Sequence, residues 1–384
     1  MKRITTIILL IASTAYAGLS INGGAISTRG ASLAVGPLAT AAPPPSSACT
    51  PASGFLHCRL ITIDATQVGG STLSNFPVLV SATLGSSRIQ NASCFDIVFT
   101  SDSGGTTKIP WEQETCTQGT GAIKDWVKVV SVSSSVNTIV YVSYDNSGIS
   151  TAQNTGVAAS TNVWTNGFQG VWHLPDGSTL SFLDSTVGAH NGTMQGTVTA
   201  AVGQIDGAEA QDGNIANYIT VGSTVQPAAT AVTVSAWVKA TAGTVGVILN
   251  KNYDGSTVPY LLGSPGAGTP GFAFFDGASF HTTGVGTDYR GDGNFHYVVG
   301  TYEGTTENYY LDGVIDGTLS FSGSMSTTNT GQTSIGNYIN NSETLAGTID
   351  EARVSNVVRT QGWLTAEFNN QKTSPTFPTV GSEL

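Results

Sequence analysis

LAGTIDEARVSNVVRTQGWLTAEFNNQK, Leu345 to Lys372, joins a strand-like run, a turn and a short amphipathic segment. Asp350 and Glu351 place two carboxylates in the middle of the strand-like run. Side chains alternate faces along a strand, so the two are expected to point opposite ways. One must then face inward, where a carboxylate without a partner is costly. A cation is the simplest such partner. Further on, Trp363, Ala366 and Glu367 fall at i, i+3 and i+4. The segment from Gly362 to Asn370 is the chain's one helical candidate, and Trp363 is expected to pack on a sandwich.

Outward from this stretch the chain reads as all-β. It has 384 residues, 47 of them Gly, and only 10% are charged. Many short strands with Gly-rich turns point to sandwiches or barrels, and the length allows two or three domains. The net charge of −11 argues against a nucleic-acid surface, which needs clustered Lys and Arg. Solubility and cation binding in Asp-rich loops both account for that acidity.

The N-terminus reads as a secretory signal over residues 1–17. Lys2 and Arg3 precede an apolar run from Ile4 to Ala15, and Ala15-Tyr16-Ala17 supplies the small residues of a cleavage site. That run is too short for a convincing membrane span. An exported chain, extracellular or at the cell surface, follows. Residues 18–48 lack bulky apolar side chains and read as a flexible linker. Cys49, Cys58, Cys94 and Cys116 form an even set, as disulfides in an exported protein would. Sequence proximity favours Cys49–Cys58 and Cys94–Cys116, although four Cys allow three pairings. Zinc is the alternative, weakened because no CxxC pair exists and His57 is the one His nearby.

Strand-like runs follow from Leu60, Phe76, Phe95, Trp126 and Thr138, giving an all-β domain over residues 49–150. After a polar linker, a second domain spans 168–384. Its runs include Ala231 to Lys239, Val245 to Leu249, Phe295 to Tyr302 and Asn308 to Thr318. Asp312-Gly313, between Tyr309-Tyr310-Leu311 and Val314-Ile315, is a hairpin signal. This pattern fits a large antiparallel jelly roll.

The segments LSNFPVLV, CFDIVFTSDSGGTTKIPWEQE and WVKVVSVSSSVNTIVYVSYDNSG resemble the uncharacterised secreted family numbered 2341, across about residues 55–150. Cys94 stands where that family has a small residue, and Tyr144-Asp145-Asn146 replaces its usual Tyr-Gly-Asn. The resemblance implies fold and secretion, not an activity. GVWHLPDGSTLSFLDSTVGAHNGTMQG, VTVSAWVKA, FHYVVGTYEGTTENYYLDGVIDGTLS and the opening stretch resemble a concanavalin A-like, laminin-G-like jelly roll over residues 168–384. Pairing these two domains is a recurring secreted architecture. It implies extracellular binding, commonly to glycans or other polymers.

That second resemblance also implies a structural cation. Asp184, Asn191 and Asp350 are the expected Ca²⁺ ligands, since Ca²⁺ takes six to eight oxygens from carboxylates, amides and carbonyls. Val187-Gly188-Ala189 replaces the family's Gly-Asn run, which removes one amide ligand. The alternative has Asp184 capping a turn and Asp350 in ordinary hydrogen bonds. For a sugar, Tyr253, Asp254 and Tyr260 in one loop region and Phe280, His281, Tyr289 and Asp292 in another offer aromatic faces beside polar groups. The alternative for Tyr260 and Phe280 is core or rim packing.

No catalytic residue is assigned. Glu112 and Glu114 share a strand face, but a solvated face is the simpler reading of the pair. His-Glu-x-x-His and Gly-x-Ser-x-Gly are absent, and each His is alone in sequence. A non-catalytic, secreted glycan- or polymer-binding protein is the reading taken. An accessory or catalytic module of polysaccharide degradation and a structural surface or filament component are the alternatives.

Overall fold

The computed structural model describes residues 27–28, 31–32, 48–174, 180–243, 246–264, 268–283, 286–338, 343–372 and 376–384. The chain divides into two compact units, Met1–Pro45 and Ser46–Leu384. In the first, within the expected linker, β1 (Ser27–Thr28) pairs antiparallel with β2 (Ala31–Ser32). The secretory signal expected over residues 1–17 lies outside the described residues.

The second unit begins with β3 (His57–Ile63), β4 (Leu73–Thr83), β5 (Ile97–Thr100), β6 (Trp111–Thr117), β7 (Ala122–Val132) and β8 (Thr138–Tyr144). They form a three-stranded sheet in the order β4-β7-β6 and a second sheet containing β3-β8-β5. Phe76, Val78, Val80, Phe99, Trp111 and Val127 are buried among them. Cys49 is bonded to Cys58, and Cys94 to Cys116. The second bond ties the loop before β5 to β6. Such links constrain the unfolded chain and so favour the folded one.

The larger sandwich opens with β9 (Phe168–Trp172), β10 (Thr193–Gln195), β11 (Thr199–Val202), β12 (Gly207–Asp212), β13 (Tyr218–Thr220) and β14 (Val232–Ala240). It continues with β15 (Val247–Lys251), β16 (Val258–Gly263), β17 (Gly271–Phe275), β18 (Phe280–Thr282) and β19 (His296–Tyr302). Then come β20 (Thr306–Leu311), β21 (Val314–Ser320), β22 (Thr333–Ile335), β23 (Ala346–Ser355), α1 (Gln361–Gln371) and β24 (Pro378–Val380). One sheet has seven strands, β10-β13-β22-β15-β16-β17-β18. The other runs β11-β12-β23-β14-β19-β20-β21, with β9 also paired to β23. Among the described residues every strand pair in both sheets is antiparallel, as expected for a jelly roll.

Alternation along β14 shows how the layers stack. Val232, Val234, Ala236 and Val238 face the interior of the larger sandwich, while Trp237 faces out. The outward face is covered too: Trp237 and Tyr297 belong to a cluster that includes Phe76 and Trp126 of the smaller sandwich. Helix α1 lies in this seam. Thr360 caps it by accepting from the Trp363 amide at 3.2 Å. Trp363 meets the Phe76 ring at 4.8 Å, so it packs as expected. The Asn370 side chain accepts from the Leu79 amide (2.7 Å) and donates to its carbonyl (2.9 Å), acting as a strand-edge partner for β4. After α1 the chain returns to the smaller sandwich, where β24 pairs with β3. Among the described residues no helix is long and apolar enough to cross a membrane.

Candidate functional site

Two regions gather the polar and aromatic side chains that could act on a ligand: the seam between the sandwiches and the outer face of the seven-stranded sheet.

The seam is built around a bulge in β23. Ser235 pairs with Arg353 but Trp237 pairs with Asp350, so two residues of β23 oppose the single Ala236. Glu351 takes up the extra length with φ +53°, in the left-handed region. Ile349, Ala352 and Val354 therefore keep their place in the sandwich core. The expectation that Asp350 and Glu351 diverge is corrected: the bulge breaks the alternation and both side chains leave that core. Both are fully buried in the seam.

Their partners come mostly from the protein's own cations and amides. Asp350 Oδ2 accepts from the Gln204 and Ile205 amides at 2.8 and 3.0 Å. Glu351 Oε1 lies 2.8 Å from His173 Nδ1, and Oε2 accepts from Arg353. Arg353 also donates to Glu367 and lies 4.6 Å from the Trp126 ring and 4.9 Å from Trp164. Arg353 and His173 thus supply positive charge beside Glu351.

The smaller sandwich sends Glu112 and Glu114 into the same seam, which corrects their reading as a solvated face. Trp126 Nε1 donates to Glu114 Oε2, and Trp164 Nε1 to Glu112 Oε2. Ser185 donates to Glu112 Oε1, and His173 Nε2 lies 3.4 Å from Glu112 Oε2. Burial, then the Glu351 and Asp350 charges, push the Glu114 carboxyl well above its ordinary range, against the pull of His173. Burial and Glu351 do the same to Asp350, against its two backbone hydrogen bonds. Burial disfavours a charged His173, yet Glu351, Glu112 and Glu114 outweigh it and hold its pKa well up. Glu351 is raised by burial but lowered on balance by His173 and Arg353. These surroundings favour the protonated forms of Glu114, Asp350 and His173 and the ionised form of Glu351. None of this was legible in sequence: His173 and Glu351 are 178 residues apart.

The outer face of the seven-stranded sheet has another character. Leu249, Leu262, Phe274 and Ile335 face the sandwich interior, so their strand neighbours face out. On that outer side Val247, Val258, Leu261 and Tyr338 cluster, with Phe275 packed against them. Asn250, Asn252 and Ser334 form a hydrogen-bonded set on the same side. The Tyr253 ring lies 6.1 Å from Phe275, and Phe275 lies 5.0 Å from Phe280. Tyr253 (49%) and Phe280 (54%) are the two largely exposed aromatic side chains among the described residues.

Two carboxylates border this row. Asp254 accepts from the Ser256 hydroxyl and amide, and from the Thr257 and Thr330 amides. Partial burial pushes its pKa up, but those bonds outweigh it and bring it to about 2. Asp276 is held at about 2 by the Ser279 amide, His281 and the Ala278 amide.

The other residues singled out in sequence are dispersed. Tyr260 and Tyr289 are corrected: both are buried in the sandwich core, and the Tyr260 hydroxyl meets Val225 O and Thr333 Oγ1. His281 pairs with Phe274 in register, stacks on Phe321 at 3.5 Å, and bonds Asp276. Asp292 accepts from Asn294 and lies 2.8 Å from His296 Nε2. Asp184 and Asn191 do come together, with the Asp184 amide donating to Asn191 Oδ1 at 2.9 Å. The Asp184 oxygens already accept from the amides of Val171, Thr186 and His190 and from the Thr186 hydroxyl. Asp350, the third expected ligand, serves the turn at Gln204 and Ile205 instead.

Residues 212–365 match the laminin-G-type family model described as the concanavalin A-like lectin/glucanases superfamily. The larger sandwich has a concanavalin A-like fold. Among solved structures, the chain overlaps domain 4 of AbnA, a GH43 extracellular arabinanase from Geobacillus stearothermophilus, in complex with arabinotriose. The identity is 17% and the TM-score 0.46, over 52% of this chain and 97% of that one. It also overlaps the binding domain of Paraclostridial Mosquitocidal Protein 1, at 12% identity and TM-score 0.42, over 53% of this chain and 52% of that one. A third is the receptor binding domain of botulinum neurotoxin D, at 12% identity and TM-score 0.38, over 53% of each chain. The chain spans about half the length of these two toxin domains. No curated protein matches the sequence.

Proposed function

We propose that this chain is an exported, non-catalytic binding protein that takes glycan or another extracellular polymer on the outer face of its seven-stranded sheet. One observation carries the proposal: Tyr253, Phe275 and Phe280 form a continuous aromatic row, exposed at both ends. Sugar rings stack their apolar faces on such a row. Asp254 and Asp276 order the loops beside it, with the oxygens of each bonded to neighbouring protein groups. Export is supported by the run from Lys2 to Ala17 and by the two disulfides.

Binding is favoured over hydrolysis by the seam. Its carboxyls are packed against Trp126, Trp164 and Arg353, and the side chains of Glu114 and Glu351 are 1% and 0% exposed. Asp184 is a loop organiser in this reading, since its oxygens are taken up by the loop itself. A glycan array of the exported chain, run with calcium and again with chelator, tests the proposal. At least one polymer class is expected to be retained under both conditions, without release of reducing sugar. Retention of none would contradict it, and release of sugar would contradict the non-catalytic part.

A further inference from the structure

We infer that Glu114, His173 and Glu351 form a binding site for one divalent transition-metal ion that staples the two sandwiches together. The three come from separate parts of the fold. Glu114 lies on β6, His173 follows β9, and Glu351 sits at the β23 bulge. One ligand atom from each lies within 4.8 Å of the others. No other group of three or more His, Cys, Asp or Glu side chains converges this way among the described residues.

Each side chain is held in place by a neighbour outside the trio. Glu114 Oε2 accepts from Trp126 and lies 4.0 Å from His173 Nδ1, while Oε1 is buried with no hydrogen-bond partner among the described residues. Glu351 Oε2 is taken by Arg353, which leaves Oε1 facing His173 Nδ1. His173 Nε2 lies against Glu112, which leaves Nδ1 for an ion. A ligating His whose far nitrogen meets a carboxylate is the usual support around a metal, because that bond orients the ring and raises its basicity. Here Arg353, Trp126 and Glu112 are the positioning residues.

Charge permits the ion. Glu112, Glu114, Asp350, Glu351 and Glu367 gather around Arg353 and Arg359 as the permanent cations. In binding, a divalent ion displaces to solvent the proton of the Glu114 carboxyl and the one between His173 Nδ1 and Glu351 Oε1, so it enters with no change in the net charge of the site. One imidazole nitrogen and two carboxylates suit zinc-like ions, with bonds of about 2.0–2.2 Å. Ca²⁺ wants six to eight oxygens, and the indole walls here supply none.

The test is calorimetric titration of Zn²⁺ into the chelator-stripped, untagged chain, beside the near-isosteric Glu114→Gln variant. Glutamine keeps an acceptor for Trp126, and circular dichroism checks that the variant folds. One ion per chain, a raised melting temperature, and at least tenfold weaker binding by Glu114→Gln are expected. Co²⁺ offers a second readout that needs no variant: its visible absorption should show mixed nitrogen and oxygen ligation, and excess Ca²⁺ should not displace it. Absence of Zn²⁺ binding, equal binding by Glu114→Gln, or displacement of Co²⁺ by Ca²⁺ would overturn the inference.

Discussion

The seam between the sandwiches and the outer face of the seven-stranded sheet are built from the same kinds of side chain, carboxylates and aromatic rings, put to opposite use. In the seam, Trp126 and Trp164 turn their N–H groups to Glu114 and Glu112 and their faces to Arg353. Many of the polar atoms there are spent on the protein itself, while Glu114 Oε1, Asp350 Oδ1 and Arg353 Nε are buried without a partner among the described residues. On the outer face, Tyr253 and Phe280 show much of their surface to water, while Asp254 and Asp276 stay ionised at the rim. What separates the two regions is whether the aromatic rings are closed into the protein or remain available to something else. Composition cannot distinguish these cases, and geometry does.

The comparison breaks most sharply at Arg353. Arg353→Met removes the cation from Glu351 and Glu367 in a dry setting, and breaking a buried pair on one side costs about 3–5 kcal/mol. Chemical denaturation should show that loss, and a change below about 1 kcal/mol would mean the seam is wetter than its burial implies. A second effect, dependent on pH, is expected at Glu209, which faces the larger sandwich's interior opposite Ile349 and accepts from Gln211. Burial raises its pKa to about 8, against the lowering effect of Gln211. The folded state then holds a proton that the unfolded state gives up above its ordinary pKa, so stability is lost as pH rises from about 4.5 to about 8. Each unit of that gap is worth roughly 1.4 kcal/mol. Glu209→Gln should melt at a flatter temperature across this window and exceed the wild type at its upper end. Parallel melting curves would show that Glu209 does not carry the effect.

Much of the architecture could be read from local pattern. Val232 to Val238 alternate apolar residues, and they form β14. Asp312-Gly313 signals a tight hairpin, and the structure gives φ +52° and +79° there, with Leu311 paired to Val314. Cysteine proximity led to the pairs the structure shows. The site was less legible, for reasons of distance and register. A bulge is one extra residue, and no alternation rule anticipates it, so Asp350 and Glu351 were expected on opposite faces. His173 was alone in sequence because its partners lie on β6 and β23. Tyr253 and Tyr260 are separated by seven positions, yet one is exposed at a turn and the other faces the core from β16. Aromatic residue type identified both as candidates, and the place of each, in a loop or on a strand, decides between them.

The smallest expected effect on stability is also the most direct test of the central claim. Tyr253→Ala and Phe280→Ala, made together, remove exposed rings and should change the melting temperature little, since surface substitutions stay within about 0.5 kcal/mol. Polymer retention should fall at least tenfold in the same sample, measured by affinity electrophoresis on whichever polymer the array identifies. Wild-type retention by this folded double variant would contradict the account and move the binding face elsewhere on the sandwich.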